Sequence, residues 1–539
     1  MSEVASVHAV AAAPALLVAI AFALPLASLR IRRASFFHGV ALLATSVALL
    51  LTLYGYTYVS SSGKPLVYRM GGWPPPLGIV YEVDPLSALL AAYTALVLVA
   101  IVAYSSWYLG EDSGLPYYYA LLLGLESGLL GIYYTGDVFN LFVMIEVLGI
   151  TCYGLVAYYR STREAVEASF KYAFFGAIAG LLYFLAAVLV YASFGSLTMG
   201  FVAAFSRPVY RLIYGNLAAV LIWGNITAAV GVVLALSLWT FTFKAGVFPN
   251  HFWLPDAHPA APTPISAVLS GLVVNAGAYA SIRFLYTVFG VYDPLSEFYE
   301  LSNYVKVVLL SVGGISALFA SIMMVIQSDV KRLIAYSTIM HLGLVFTGFS
   351  LGTSEGVRAS VYHILTHTAG KALLFMSAGV AIEVSRTRRI PELRAVGRVY
   401  KLVGLSIVLS SLSLVGLPPL AGFFSKLALY QAYVESGHFE MVAVLLISSA
   451  IALLGYLKVV YPTVFGEPPV SSGVSRLRGP ELAVALALLV ALLLVLNPPV
   501  VGGILEQASR AATDASRYID EALNAFVDYV SRLHPAPGG

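Results

Sequence analysis

Lys244 lies within Ala235-Leu236-Ser237-Leu238-Trp239-Thr240-Phe241-Thr242-Phe243-Lys244-Ala245-Gly246-Val247-Phe248-Pro249, a run that is otherwise almost wholly apolar. A charge at bilayer depth costs roughly 2.5–3.5 kcal/mol on insertion scales. It persists there only if it is paired, hydrated or functional. Glu146, Lys171, His341, His363, His367, Lys371 and Lys426 also fall inside apolar runs. Carboxylates and amines store protons, and imidazoles exchange them near neutral pH. Together the eight residues read as a proton path.

Spacing sharpens that reading in Tyr362-His363-Ile364-Leu365-Thr366-His367-Thr368-Ala369-Gly370-Lys371. At about 100° per residue, His367 falls about 40° and Lys371 about 80° from His363. The three share one helical face over a rise of about 12 Å. Such a stripe can relay protons with water between its members. The plain alternative is a set of satisfied core histidines, and two histidines at i and i+4 also suit zinc. However, no cysteine or carboxylate completes a ligand set within this helix, and Lys371 would repel a cation, so no metal site is assigned. Glu146 can pair with Lys244 or with Lys171. A lysine that changes partner is a proton-holding site with a switch; the plain alternative is a static ion pair pinning helices. Lys426 can be a terminal donor towards one side of the membrane, or a lysine snorkelling to the interface.

These residues need a membrane-embedded scaffold, and the composition supplies one. The 539 residues are 60% hydrophobic and only 11% charged, against about 25% charged in soluble domains. The chain therefore reads as an all-α polytopic membrane protein. The net charge of +3 is spread over loops, so there is no nucleic-acid signature. The single cysteine, Cys152, excludes an internal disulfide and a cysteine-based cluster. The first apolar run ends in Arg30, Arg32 and Arg33, which reads as a first span rather than a cleaved signal.

Apolar runs near the roughly 20 residues a bilayer demands recur about 14 times, from 9–29 to 480–498. Lipid leaves unpaired backbone groups without partners, so each should be helical. We divide the chain into an N-terminal three-helix segment (1–110) with an external loop at 60–84, two helical units at 115–289 and 304–464, a last span at 480–498 and an amphipathic tail at 499–539. Residues 200–214 suggest a short helix at the interface. One set of alternate loops holds Arg30, Arg32, Arg33, Arg160, Arg163, Lys331, Arg332, Arg386, Arg388, Arg389, Arg394, Arg398, Lys401, Arg476 and Arg478. The other short loops hold only Lys64, Arg69, Arg207, Arg211 and Arg358. The positive-inside rule then puts both termini outside the cell membrane.

Two spans should be broken. One carries Lys244 and is interrupted at Gly246–Pro249; the other, 403–433, is interrupted at Gly416-Leu417-Pro418-Pro419-Leu420-Ala421-Gly422, just before Lys426. Proline removes a backbone donor and clashes with the preceding turn. Interrupted spans at matching places in two halves are the best sequence pointer to an ion path.

The segment from Phe243 to Pro264, with its Pro-Asn-His-Phe-Trp-Leu-Pro-Asp-Ala-His-Pro core, resembles the antiporter-like membrane subunits of respiratory complex I, Mrp-type cation/proton antiporters and membrane-bound hydrogenases. The Glu146 run, Lys331-Arg332-Leu333-Ile334-Ala335-Tyr336-Ser337-Thr338, the His363–Lys371 stripe and Gly416 through Lys426 agree, over most of residues 85–465. The resemblance implies 14 helices with two inverted five-helix repeats, a glutamate–lysine pair at Glu146 and Lys244, central groups at His363, His367 and Lys371, and a terminal lysine at Lys426. One departure is Asn275, where many relatives carry a lysine. The implied function is proton movement, with sodium as a second candidate cargo, inside a multisubunit assembly. Partners would be other membrane subunits. Any NADH/quinone- or ferredoxin-linked redox chemistry would lie on them, with no cofactor on this chain. A free-standing transporter of a small solute and a scaffold with a vestigial path are the alternatives.

Overall fold

The computed structural model describes residues 3–210, 225–393, 395–466 and 479–533. It is almost entirely helical, as the apolar runs require. In order, the helices are α1 (Glu3–Ala27), α2 (Ala34–Ser62), α3 (Pro85–Leu109), α4 (Leu115–Tyr134), α5 (Val138–Val156), α6 (Arg163–Phe194) and α7 (Met199–Phe205). There follow α8 (Ile226–Ala245), α9 (Leu254–Ala260), α10 (Thr263–Val288), α11 (Ser302–Ile326), α12 (Val330–Phe349) and α13 (Ser354–Ser385). The last are α14 (Lys401–Val415), α15 (Ala421–Glu435), α16 (Phe439–Val460), α17 (Pro480–Val495), α18 (Pro498–Thr513) and α19 (Ser516–Leu533).

Among the described residues 12 helices are long and apolar enough to cross a membrane, and α17 joined to α18 across an 82° bend gives a thirteenth. The expected count of about 14 therefore exceeds the helices that are long enough: the span read at 403–433 is split into α14 and α15, of which α14 is a shorter apolar helix of Lys401–Val415. The start expected at 220 for the Lys244 span lies outside the described residues, as do Arg394 and residues 534–539 of the tail.

Burial divides the bundle. The apolar stretches of α10 and α13 are wholly buried, and α12 almost so, whereas α1, α2 and α16 bury about a third of theirs and form the rim. The polar stripe of α13 is thus at the centre. Local chemistry fixes where helices begin. Asp84 caps α3 by accepting from Ser87 N at 2.9 Å, with Pro85 in the first turn. Asp137 caps α5 through Asn140 N at 2.7 Å, and Asp329 caps α12 through Lys331 N and Arg332 N. Such caps satisfy amides that the first turn leaves open.

Both expected breaks are present. α8 ends at Ala245, one residue after Lys244, and is capped by Gly246, whose φ of +65° is left-handed; helix resumes at Leu254. α14 ends at Gly416, with φ of +94°, and resumes at Ala421. Only glycine takes these angles without strain, and a proline stands three residues after each, at Pro249 and Pro419.

The loop at 60–84 is a hairpin: Leu66–Arg69 (β1) pairs antiparallel with Val80–Val83 (β2), Leu66 opposite Val83. His8 of α1 packs edge-on against Tyr68, and Arg69 bonds Asp528 of α19 at 3.0 Å. The two ends of the chain therefore meet the hairpin on one face, hereafter the terminal face. The tail does not lie free. α19 packs on α7 through Phe201, Ala203, Ala204, Ala515, Ile519 and Leu523. The helical part of the 200–214 segment is thus covered by the tail's apolar stripe, while Pro208 and Val209 beyond it are exposed.

Candidate functional site

The second unit brings its polar groups together across four helices. His341 Nδ1 of α12 lies 3.0 Å from His363 Nε2 of α13, and His341 Nε2 lies 3.2 Å from Tyr456 Oη of α16. His363 Nδ1 reaches Ser425 Oγ of α15 at 3.0 Å, and Thr366 Oγ1 donates to the same oxygen at 2.9 Å. Tyr456, His341, His363, Ser425 and Thr366 are therefore joined by consecutive hydrogen bonds. Each of these imidazoles carries one ring proton when neutral. Passing a proton along the chain therefore requires only that donors and acceptors exchange roles.

The other stripe residues flank this chain. His367 is buried, its ring centred 5.2 Å from that of His341, and neither ring nitrogen has a hydrogen-bond partner. Lys371 Nζ donates to Ile334 O of α12 at 3.1 Å and forms a short contact with Ser337 Oγ. Lys426, next to Ser425, donates to Val415 O at 2.9 Å and Ser449 Oγ at 2.7 Å. That carbonyl belongs to the last residue of α14. It is free to accept because the break at Gly416 leaves it without an intrahelical donor. The break thus positions the lysine. Among the described residues no carboxylate pairs with Lys371 or Lys426, although both are buried.

In the first unit Lys244 is 1% exposed. Its Nζ approaches Ile145 O at 3.4 Å and stands 5.7 Å from the centre of the Tyr153 ring. Glu146 is the next residue of α5, so the Lys244 amine reaches the α5 backbone beside it, yet no direct ion pair joins the two. Glu146 Oε1 is buried without a partner and points at Gly180 of α6, where a side chain would collide with it.

Lys171 departs from the burial expected of it. It pairs with Glu167 at 2.7 Å and Asp256 at 3.4 Å, and its side chain is 44% exposed. α6 starts at Arg163, so Lys171 is only about two turns inside the helix end, on the face opposite the terminal one. There it lines a cavity of about 250 Å³ with Glu167, Asp256, Asp329, Arg332 and Arg388. That vestibule lies beside α9, the short helix following the Lys244 break.

The two units meet at Asn275. Its Nδ2 donates to Thr368 Oγ1 of α13 at 2.9 Å and to Gly271 O at 2.6 Å. Residues Leu269–Val273 form a π-turn, a widening often found at functional sites; here the Gly271 carbonyl also accepts from Thr368 at 2.6 Å. Sequence reasoning passed over four participants. Ser425, Ser337 and Tyr456 carry no charge, and only the helix packing brings them into line. His258 of α9 is fully buried with both nitrogens unpartnered and stacks on Phe375 of α13, 4.9 Å between centres. Its place between prolines in Pro255-Asp256-Ala257-His258-Pro259 was the available signal.

With this geometry in hand, comparison with known proteins is specific. Residues 135–452 match the family model described as NADH:quinone oxidoreductase/Mrp antiporter, transmembrane. The N-type subunit of the NADH-quinone oxidoreductase of Desulforudis audaxviator is 32% identical over 429 residues, covering 77% of this chain and 80% of that protein. A Na(+)/H(+) antiporter subunit of Bacillus subtilis is 26% identical, covering 84% and 87%. Among solved structures, a chain of the membrane-bound sulfane sulfur reductase, an archaeal respiratory membrane complex, superposes with a TM-score of 0.84 at 30% identity, covering 97% of this chain and 100% of that one. A chain of the Mrp complex from a Dietzia species gives 0.82 at 25% identity, with coverage of 97% and 100%.

Proposed function

The chain belongs to the NADH:quinone oxidoreductase/Mrp antiporter transmembrane family, and from that premise we propose that it is the proton-moving, antiporter-like membrane subunit of a larger complex. The observation that carries this reading is the buried sequence of hydrogen bonds from Tyr456 through His341 and His363 to Ser425, with Lys371 and Lys426 beside it. A scaffold has no use for two buried lysines without counter-ions. A solute transporter would need a substrate vestibule lined by groups fixed for recognition, and the relatives' names speak for the antiporter-like reading instead.

Protons enter from the cavity around Lys171 and Asp256, which we take to face the cytoplasm; the terminal face is then the outside of the cell membrane. Glu146 and Lys244 form the first station. Lys244 is held by a carbonyl rather than by the carboxylate, so the glutamate can approach or withdraw and bias whether the lysine keeps its proton. Asn275 carries the connection across to α13 through a hydrogen bond and stores no proton itself. In the second unit the histidines relay and Lys371 and Lys426 hold. Two like charges in a poorly screened interior repel, so arrival of a proton at one lysine favours release from the other. We assign no cofactor to this chain; where the assembly has redox chemistry, that chemistry belongs to partner subunits.

Affinity purification of the intact complex identifies the assembly. Soluble iron–sulfur subunits in the purified material would mark a redox-driven complex, and small membrane partners alone would mark an Mrp-type antiporter. A chain that purifies alone and transports a solute without protons would overturn the proposal.

A further inference from the structure

α10 carries a second polar stripe, of which the path above uses only Asn275. Asn275, Tyr279, Arg283 and Thr287 stand four residues apart, so they share one helical face and run from the central junction towards the terminal face. All four are buried. Tyr279 Oη accepts from Arg283 Nε at 3.3 Å and Nη2 at 3.2 Å. Arg283 grips Asp84 with two bonds, 2.7 and 2.8 Å, and donates to Thr287 Oγ1 at 3.2 Å. Thr287 in turn donates to Ala512 O of α18 at 3.2 Å. Asp84 and Tyr518 then line a cavity of about 310 Å³ on the terminal face, with Gly63, Asp514 and Arg517 at its sides.

Glu82 is the unexplained member. It is 1% exposed, and neither carboxylate oxygen is in good hydrogen-bond geometry with a partner, although the Tyr518 hydroxyl stands close enough to favour its charged form. The one nearby arginine is already engaged by Asp84. A fold that needed only a tie between the hairpin and α10 would stop at the Asp84–Arg283 pair, because an additional buried acid destabilises it. The groups around Glu82 come from three sides: Arg283 of α10, Asp84 at the start of α3, and Tyr518 and Glu521 of α19. Gly136, before the α5 cap Asp137, and Gly200 of α7 leave room for its carboxylate.

We propose that this stripe is a proton route between the central junction and the terminal face through the first unit, with Glu82 as its proton-exchanging group and the C-terminal helix α19 as its cover. The proposal rests on the proton-moving reading above. In the step itself, Glu82 accepts a proton on a carboxylate oxygen while Arg283 stays protonated and Asp84 ionised. The trio passes from a net charge of −1 to neutral, and release to cavity water reverses it. Burial, opposed by Arg283, pushes the Glu82 carboxyl well above its ordinary range, which suits a group that must bind protons from neutral water. α19 closes the top: the Tyr518 ring lies 5.1 Å from the Arg283 guanidinium carbon, and Arg517 ties the helix to Gly63 O at 2.6 Å.

The test uses the assembled complex in vesicles, varying pH on the terminal face alone. Glu82→Gln keeps shape and removes the proton site. It should lower the proton transport rate by about tenfold or more and flatten its dependence on terminal-face pH, and Glu82→Asp should restore part of both. Lys371→Ala is run beside it. If Lys371→Ala loses transport while Glu82→Gln keeps the wild-type rate and pH profile, this inference fails and the proton-moving reading stands. If both variants transport normally, both fail. Should Glu82→Gln not assemble, wild-type complex treated with dicyclohexylcarbodiimide decides. The reagent adds to protonated buried carboxyls to leave an N-acylurea, so mass spectrometry should find Glu82 labelled, more at lower terminal-face pH, with transport lost in parallel. A Glu82 that never labels overturns the route.

Discussion

Gly180→Ala separates a proton switch at Glu146 from a static contact. A methyl group at Gly180 would stand 3.0 Å from the Glu146 carboxyl carbon, inside the 3.4 Å at which ordinary contact begins, and Oε1 would be closer still. The carboxylate must swing away by about 1 Å, a displacement that costs reacting groups about a hundredfold. It can do so without losing a hydrogen bond, because Oε1 has none. The helix itself gains from the change, by up to about 1 kcal/mol for Gly→Ala in a helix interior. The expected outcome is an assembled, equally or more thermostable complex whose proton transport falls by roughly 10- to 100-fold. Gly231→Ala on α8 is the control. It makes the same substitution on the Lys244 helix, with nothing within 4 Å of the new methyl, and should transport normally. Rates follow from a pH-sensitive dye in sealed vesicles, and stability from thermal unfolding of the purified complex. Wild-type transport by Gly180→Ala would mean that the position of the Glu146 carboxylate does not matter, and the switch would be refuted.

Other outcomes follow from the same geometry. Lys171→Ala should leave transport within about twofold of wild type and stability within about 1 kcal/mol, since a half-exposed pair is worth little; a loss like that of a buried lysine would make Lys171 a proton-holding station rather than part of the rim of the entrance. Arg283→Met should destabilise the complex by about 3–5 kcal/mol by stranding the buried Asp84 charge, read as a lowered unfolding temperature; an unchanged temperature would contradict the burial of that pair. For Glu82 the folded carboxyl titrates above its ordinary 4.5. Below that value both states are neutral and nothing is lost. As pH rises past it, the unfolded chain ionises while the folded one resists, so Glu82 destabilises the fold increasingly. The unfolding temperature of Glu82→Gln should therefore rise relative to wild type between acid and neutral pH, and a gap that narrows would give the wrong sign.

Much of the site was legible because charge inside apolar runs is rare and helical spacing is rigid. His363, His367 and Lys371 could be placed on one face from spacing alone, and Gly246 and Gly416 with their following prolines announced the breaks. What spacing cannot give is depth and partner. Lys171 sits in an apolar run, but α6 starts only eight residues before it, so the amine reaches the surface instead of the interior. The His341–His363 contact and its extension to Ser425 and Tyr456 join helices distant in sequence, and serine and tyrosine are too common to stand out. Glu82 and Asp84 fall inside the loop read at 60–84, and nothing in the spacing marks Arg283 as their neighbour. Only the hairpin and the C-terminal helix, folding over the terminal face, bury them together.

The central claim is that Lys371 and Lys426 are stations on a proton path. Proton uptake by the assembled complex in vesicles, compared for wild type, Lys371→Ala and Lys426→Ala with assembly verified for each, tests it most directly. The account predicts that both variants assemble and that each loses most of its proton-coupled transport. Wild-type uptake by both variants would make the lysines and the stripe structural, and would contradict it.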